Sequence, residues 1–175
     1  MIAYLALGSN LGDRAAHLAA AVRALAALGR VAACSGLYET SPEGGAAQPD
    51  YVNAVVRLET GLSPRALLDG CLAVERGEGR VRPQVKASAV KPSAVKPSRT
   101  LDIDVLLCDG QIIDEPGLTV PHPRLSARPF VRIPLAEVAL PDLRHPQTHE
   151  ALEAAEPDPT VRKLGSIPGS IYSSG

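Results

Sequence analysis

Leu101-Asp102-Ile103-Asp104-Val105-Leu106-Leu107 is the stretch on which the fold reading turns. Successive side chains of a strand point to opposite faces. Leu101, Ile103, Val105 and Leu107 therefore share one face, and Asp102, Asp104 and Leu106 the other. That is the pattern of a half-buried strand. Its second face carries two carboxylates on residues about 7 Å apart at Cα, from the strand rise. A core strand gains nothing from two like charges that close.

The neighbouring segments complete a topology. After the strand, Asp109-Gly110 reads as a hairpin turn with residues 111–113 as the return strand. Pro121-His122-Pro123-Arg124 is a rigid loop, and residues 129–139 form a short helix. Upstream, residues 51–59 alternate: Val52, Ala54, Val56 and Leu58 face one way, Tyr51, Asn53, Val55, Arg57 and Glu59 the other. Ser63 caps a helix with Pro64 at its first position. Leu68, Cys71 and Leu72 set its apolar stripe, and Glu75 falls on the same stripe. At the start of the chain, residues 2–7 read as a strand. It ends in Gly8-Ser9-Asn10-Leu11-Gly12-Asp13, a turn into a helix over 14–28 with Gly29 as C-cap. Residues 31–38 make a second strand. The order β-α-β-β-α-β predicts an α+β ferredoxin-like sandwich. Its core is a mainly antiparallel four-stranded sheet with an added hairpin strand and with helices on one face. One domain spans 1–160, and the Gly/Ser-rich residues 161–175 read as a disordered tail.

Composition narrows the classes. The chain has 175 residues, 45% hydrophobic and 21% charged, with 18 Lys+Arg against 19 Asp+Glu. A net charge of −1 argues against a globally basic nucleic-acid binder. No apolar run approaches the ~18 residues of a membrane span, and the start of the chain lacks signal-peptide features. Aromatics are only 3%, with no Trp, so the core is aliphatic. Cys34, Cys71 and Cys108 are widely spaced and odd in number, which reads as buried thiols in a reducing cytoplasm.

The chemistry concentrates in a few places. From residue 79 to 101 there is no acidic residue, but six cations: Arg80, Arg82, Lys86, Lys91, Lys96 and Arg99. The stretch contains the tandem repeat Ser88-Ala-Val-Lys-Pro92, Ser93-Ala-Val-Lys-Pro97 and reads as a mobile basic loop over about 80–99. Arginines make forked hydrogen bonds to phosphate oxygens. Asp102 and Asp104 suit Mg²⁺, a hard cation that keeps sites for water and phosphate. Together they form a phosphoryl-transfer pattern, with negative charge neutralised from two sides. P-loop and protein-kinase motifs are missing. Gly8-Ser9-Asn10-Leu11-Gly12 opens a helix and is a weak anion-cradling signal. Tyr51 and Asn53 share a strand face and suit a flat heterocycle, the ring stacking and the amide matching donor and acceptor. Phe130 is placed to cover that heterocycle or to pack in the core. His122 is held by two prolines near Arg124 and Arg128 and suits a phosphate. His145 and His149 lack a third ligand for zinc.

Six motifs in this order resemble the 6-hydroxymethyl-7,8-dihydropterin pyrophosphokinase family of the folate pathway. They are Leu7-Gly8-Ser9-Asn10-Leu11-Gly12-Asp13, Tyr38-Glu39-Thr40-Ser41-Pro42, Gln48-Pro49-Asp50-Tyr51-Val52-Asn53, Glu75 with Arg80-Val81-Arg82, Arg99-Thr100-Leu101-Asp102-Ile103-Asp104, and Val120-Pro121-His122-Pro123-Arg124. The resemblance runs from Ala3 to about Pro146. It implies transfer of the terminal pyrophosphoryl group of ATP to the pterin hydroxymethyl oxygen, with AMP released and two Mg²⁺ held by Asp102 and Asp104. It further implies that Thr40, Tyr51, Asn53 and Phe130 hold the pterin, with Pro42 and Gly44 shaping the pocket. Glu75, Arg80, Arg82, Arg99, Val105, His122 and Arg128 would serve ATP, and Arg80, Arg82 and Arg99 with the two aspartates would carry the catalysis. The expected enzyme is monomeric and cytoplasmic, with small-molecule substrates and no nucleic-acid or membrane partner. The chain departs from the family in lacking its usual Arg-Trp pair, where the repeat now sits, and in carrying Ser98 before Arg99 in place of Pro.

Two rivals come from other classes. A ferredoxin-like RNA-binding module needs exposed aromatics on a sheet and a basic face, and only Tyr51 offers itself. A metal-dependent nuclease using Asp102 and Asp104 needs a further carboxylate or a base beside them.

Overall fold

The computed structural model describes residues 1–42, 47–79 and 98–172. Of the mobile loop expected over about 80–99, residues 80–97 lie outside the described residues, while Ser98 and Arg99 are hydrogen-bonded to Asn10.

The sheet grows around β1 (Ile2–Ser9), which pairs antiparallel with β4 (Tyr51–Glu59) on one side and β5 (Asp102–Cys108) on the other. Beyond β4 lie β2 (Arg30–Cys34) and β3 (Leu37–Thr40), both paired to it, and β8 (Arg162–Gly165) lies outside β3. The six strands run β5-β1-β4-β3-β8, with β2 also on β4. The strand alternation read from the sequence sorts the two faces. Ala3, Leu5 and Leu7 of β1, Val52, Ala54, Val56 and Leu58 of β4, and Ile103 and Val105 of β5 pack into one core cluster. That core lies under α1 (Arg14–Leu25) and α2 (Pro64–Gly77). Each fully buried leucine in it contributes about 1.5–3 kcal/mol. Both helices start where the sequence reading puts them. The Asp13 carboxylate accepts the Ala16 N–H at 3.0 Å, and Ser63 Oγ accepts the Ala66 N–H at 3.3 Å.

The opposite face is divided along its length. Tyr4, Val55, Leu106 and Leu107 form a second cluster against Val131, Leu135 and Val138 of α3 (Pro129–Val138). Leu106 and Leu107 both reach it because the β1–β5 register slips by one residue there: Leu5 faces Val105 but Tyr4 faces Leu107. The rest of this face carries Gly8, Asn53, Asp102 and Asp104.

Several expectations need correction. Helices cover both faces, not one, because the polar alternation of β4 and β5 gives way to Val55, Leu106 and Leu107 under α3. The four-stranded core sheet is enlarged to six strands. The expected strand over 31–38 is two strands, broken at Ser35 and Gly36. There Ser35 Oγ accepts the Val55 N–H at 2.9 Å, and the Gly36 N–H turns away to Glu137 Oε2 at 2.7 Å. The hairpin is not an added strand of the main sheet. Asp109-Gly110 does turn, with φ of 44° and 70°, but the hairpin forms one step later, between β6 (Ile113–Glu115) and β7 (Leu118–Val120). The stripe of α2 is Leu67, Cys71 and Glu75, with Leu68 packed at its margin. Gly29 serves close approach rather than capping. A Cβ there would lie 2.3 Å from the Glu59 carbonyl oxygen, and α1 has already ended at Ala26. Within the tail expected to be disordered over 161–175, residues 162–165 form β8 and Ile167 is buried in the first core; residues 173–175 lie outside the described residues. Its low hydrophobicity hid a backbone ladder, which needs no apolar side chains.

All three cysteines are free and buried. Burial pushes Cys34 and Cys108 up to about 11 and Cys71 up to about 12. A thiol that stays neutral in the fold costs nothing below the ordinary thiol value of about 8.5. Above it the unfolded chain ionises first, and stability falls as pH rises toward the folded values. A thiol reagent at pH 8 is expected to leave the native protein unmodified and to label all three cysteines after denaturation. Labelling of the native protein at the denatured rate would contradict this burial.

Candidate active site

The site occupies the half of the second sheet face that α3 leaves uncovered among the described residues. Gly8 of β1 pairs with Asn53 on one side and Asp102 on the other, so Asp102, Gly8, Asn53 and Tyr38 form one row across the sheet. Asp104, Ala6 and Val55 form the next. The residues in the middle of both rows are small, which leaves a shallow floor between the carboxylates and the amide. A Cβ on Gly8 would already approach Asn53 Oδ1 to 3.4 Å.

At the β4 end, Asn53 is buried and its Nδ2 donates to Thr40 Oγ1 at 2.9 Å and to the Tyr38 carbonyl at 3.4 Å. Thr40 also pairs across the ladder with Tyr51. Amide and hydroxyl thus stand together, bonded to each other and to β3, with Tyr51 opposite Thr40 in the ladder.

At the β5 end, cations surround the carboxylates. Arg99 is ion-paired with Asp102. Asp104 lies 3.9 Å from His122 Nε2 and 4.0 Å from Arg128 Nη1. His122 Nδ1 accepts the Arg124 N–H at 3.1 Å, so a neutral ring carries its proton on Nε2, toward Asp104. The His122 N–H donates to the Leu106 carbonyl at 2.9 Å, which fixes the loop to β5. Arg128 caps α3 by position, and its guanidinium lies 5.4 Å from the Phe130 ring centroid.

Two buried polar residues hold this arrangement from below. β5 ends the sheet among the described residues, so one side of it meets no described strand. Glu75, 1% exposed, takes up that side: its Oε1 accepts the N–H of Ile103, the residue between the two aspartates, at 2.8 Å. Asn10, also 1% exposed, joins three segments. Its Oδ1 accepts the Arg99 N–H at 2.8 Å and its own N–H donates to the Arg99 carbonyl at 3.1 Å. Its Nδ2 donates to the Pro49 carbonyl and Ser98 Oγ, both at 3.3 Å, and to Gln48 Oε1 at 3.4 Å.

Most of the expected residues meet here: Thr40, Tyr51, Asn53, Arg99, Asp102, Asp104, His122 and Arg128 share this face or its rim, and Glu75 supports it. Phe130 lies in the first turn of α3 and packs on the second cluster beside Arg128. Pro42 follows the end of β3. Val105 follows Asp104 on β5, and its side chain is buried in the first core on the opposite face. Gly44, Arg80 and Arg82 lie outside the described residues. Asn10 was read only as part of a glycine-rich turn; the turn is organised around its side chain. A buried amide inside Gly-Ser-Asn-Leu-Gly was the signal available.

Residues 4–140 match the family model of 7,8-dihydro-6-hydroxymethylpterin-pyrophosphokinase (HPPK). The chain belongs to this family. The 2-amino-4-hydroxy-6-hydroxymethyldihydropteridine pyrophosphokinase of Methylorubrum extorquens is 44% identical over 143 residues, covering 81% of this chain and 84% of that one. Its Pseudomonas aeruginosa counterpart is 44% identical over 145 residues, covering 82% and 83%. A crystal structure of HPPK-DHPS in complex with substrates superimposes with a TM-score of 0.60 at 14% identity. It covers 87% of this chain but only 42% of that longer one, and it supports the fold of the HPPK unit.

The HPPK site depends on Asn10 for its shape. Asn10→Ala strands the buried Arg99 N–H and is expected to lower stability by about 1–3 kcal/mol. It should also lower turnover at saturating substrates, because Arg99 loses its anchor. Denaturant unfolding alongside steady-state kinetics measures both; a variant with full stability would refute the hub.

Proposed function

We propose that this chain catalyses transfer of pyrophosphate from ATP to 6-hydroxymethyl-7,8-dihydropterin, releasing AMP, in folate biosynthesis. The observation that carries the reading is the row Asp102–Gly8–Asn53. It separates a heterocycle reader from a dicarboxylate by two strand spacings, about 10 Å. A bicyclic pterin lying over Gly8 has its ring at Asn53 and its hydroxymethyl arm toward the carboxylates.

Each chain residue then has a task. Asn53 and Thr40 match the donors and acceptors of the pterin edge, and Tyr51 and Phe130 enclose its faces, with Pro42 and Gly44 shaping the rim. Arg99, Arg128 and His122 face the polyphosphate, joined by Arg80 and Arg82. Glu75 keeps the strand between the aspartates in place. The pterin hydroxymethyl oxygen forms a bond to the β-phosphorus, the bond from that phosphorus to the α-phosphate oxygen breaks, and the hydroxyl proton is lost to solvent. In a loose transition state the nucleophile needs positioning more than deprotonation, so no general base is assigned.

The donor set fits magnesium. Asp102 and Asp104 offer oxygen only, and among the described residues no group of three or more His, Cys, Asp or Glu stands ready for a metal. Two carboxylates suit a cation that completes its shell with water and phosphate, and not a zinc site. Two Mg²⁺ held there would neutralise the charge on ATP as the pyrophosphoryl group moves. We read the strand order as a ferredoxin-like sandwich enlarged by β8 and α3, acting as a cytoplasmic monomer. No helix among the described residues is long and apolar enough to cross a membrane.

The test is a product assay with ATP, Mg²⁺ and 6-hydroxymethyl-7,8-dihydropterin, separated by chromatography. Wild type is expected to yield AMP and the pterin pyrophosphate in equal amounts. Asp102→Ala and Asp104→Ala should each lose at least about a hundredfold in rate, the scale of losing metal stabilisation. Turnover retained in both variants would remove the aspartates from the mechanism, and no AMP from wild type would sink the activity.

A further inference from the structure

The matched family region ends at residue 140, but the chain beyond it returns to the site. β8 adds to the outer side of β3 in the register Leu37–Gly165, Tyr38–Lys163 and Glu39–Arg162. Adjacent residues of β8 therefore grip opposite faces of β3. On one face Lys163 is ion-paired with Glu137 of α3 and lies 5.5 Å from the Tyr38 ring centroid. Glu137 also accepts the Tyr38 hydroxyl at 2.5 Å and the Gly36 N–H at 2.7 Å. On the other face Arg162 is ion-paired with Glu39. Ile167, 3% exposed, anchors the segment in the first core.

Glu39 does more than hold the tail. Its carboxylate lies 3.0 Å from Arg14 Nη2, and Arg14 Nη1 donates to the Asp50 carbonyl at 2.8 Å. Asp50 immediately precedes Tyr51. Arg162, and then Arg14, hold the Glu39 carboxyl below its usual range against the opposing effect of burial. A chain of contacts thus runs Arg162–Glu39–Arg14–Asp50, from the tail to the start of β4. An isolated exposed ion pair contributes little. Here the pair accompanies a backbone ladder, and β3 is only four residues long. Without β8, β3 would be an edge strand along 37–39, the residues that lead into Thr40.

We propose that the C-terminal segment is a positioning element for the heterocycle subsite: β8 and the Arg162–Glu39–Arg14 bridge set where Thr40 and Tyr51 stand relative to Asn53. The inference rests on the pyrophosphokinase reading above. Glu39 and Arg162 are positioning residues that touch no substrate.

Full-length Glu39→Gln, Arg162→Ala and Arg162→Lys are compared with wild type, beside a chain lacking residues 161–175. The first two are expected to raise the KM for the pterin about threefold to tenfold, with kcat and the KM for ATP within about twofold. Arg162→Lys should recover most of the loss. Amide exchange at Thr40 and Asn53 should quicken in Arg162→Ala. The truncated chain should show the largest pterin effect or, if Ile167 is essential to the core, fail to fold; the full-length variants decide the matter in that case. An unchanged pterin KM in both Glu39→Gln and Arg162→Ala, whatever their melting temperatures, overturns the proposal. A wild type that makes no pterin pyrophosphate sinks the reading of function instead. The positioning role then stands on accelerated exchange at Thr40 and Asn53, and falls if exchange is unchanged.

Discussion

β1 is hydrogen-bonded on both sides, and everything in the site is referred to it. Its pairing with β4 and β5 places Asn53 and Asp102 on either side of Gly8, and Val55 and Asp104 on either side of Ala6. A central strand has no freedom to slip, because a shift of one residue would exchange Leu5 and Leu7 in the core for Tyr4 and Ala6. The apolar face of β1 therefore sets the distance between the two ends of a site on its other face. That is a strong form of preorganisation: the buried amide of Asn53 and the carboxylates of β5 are registered by the same core that stabilises the fold.

Placing two carboxylates on one strand works against folding unless cations balance them. The protein supplies its own: Arg99 at Asp102, and His122 and Arg128 at Asp104. Each arrives from a different segment. Arg99 is held by Asn10, His122 by its bond to the Leu106 carbonyl, and Arg128 by the start of α3. The groups that relieve repulsion between the carboxylates thus come from three separate segments that converge on β5.

Much of this was legible in the sequence, for a physical reason. Period-two alternation is unambiguous where one face is apolar and the other polar, so residues 51–59 and residues 101–105 of the Asp-x-Asp strand have the faces it predicts. The Ser63-Pro64 and Asp13 helix starts were equally plain. What escaped depends on partners distant in the chain. Whether the second sheet face is covered turns on α3, far along the sequence. The break at Ser35 and Gly36 is set by Val55 and Glu137, and the ladder that orders β8 uses backbone groups that composition does not report. Leu107 is a further instance: strict alternation puts it beside Ile103 and Val105, while the register slip at Tyr4 and Leu5 carries it into the cluster under α3.

The short β3 shows why local sequence and site geometry can part company. Four residues paired on one side make a weak element, yet Thr40 at its end must hold the Asn53 amide to within a hydrogen bond. Its rigidity is borrowed from neighbours: β4 on one side, β8 on the other, and Glu137 of α3 across its face. None of these is adjacent to β3 in sequence except through turns. A candidate site side chain can thus be named from a motif, while the groups that keep it still are found only by following the hydrogen bonds outward.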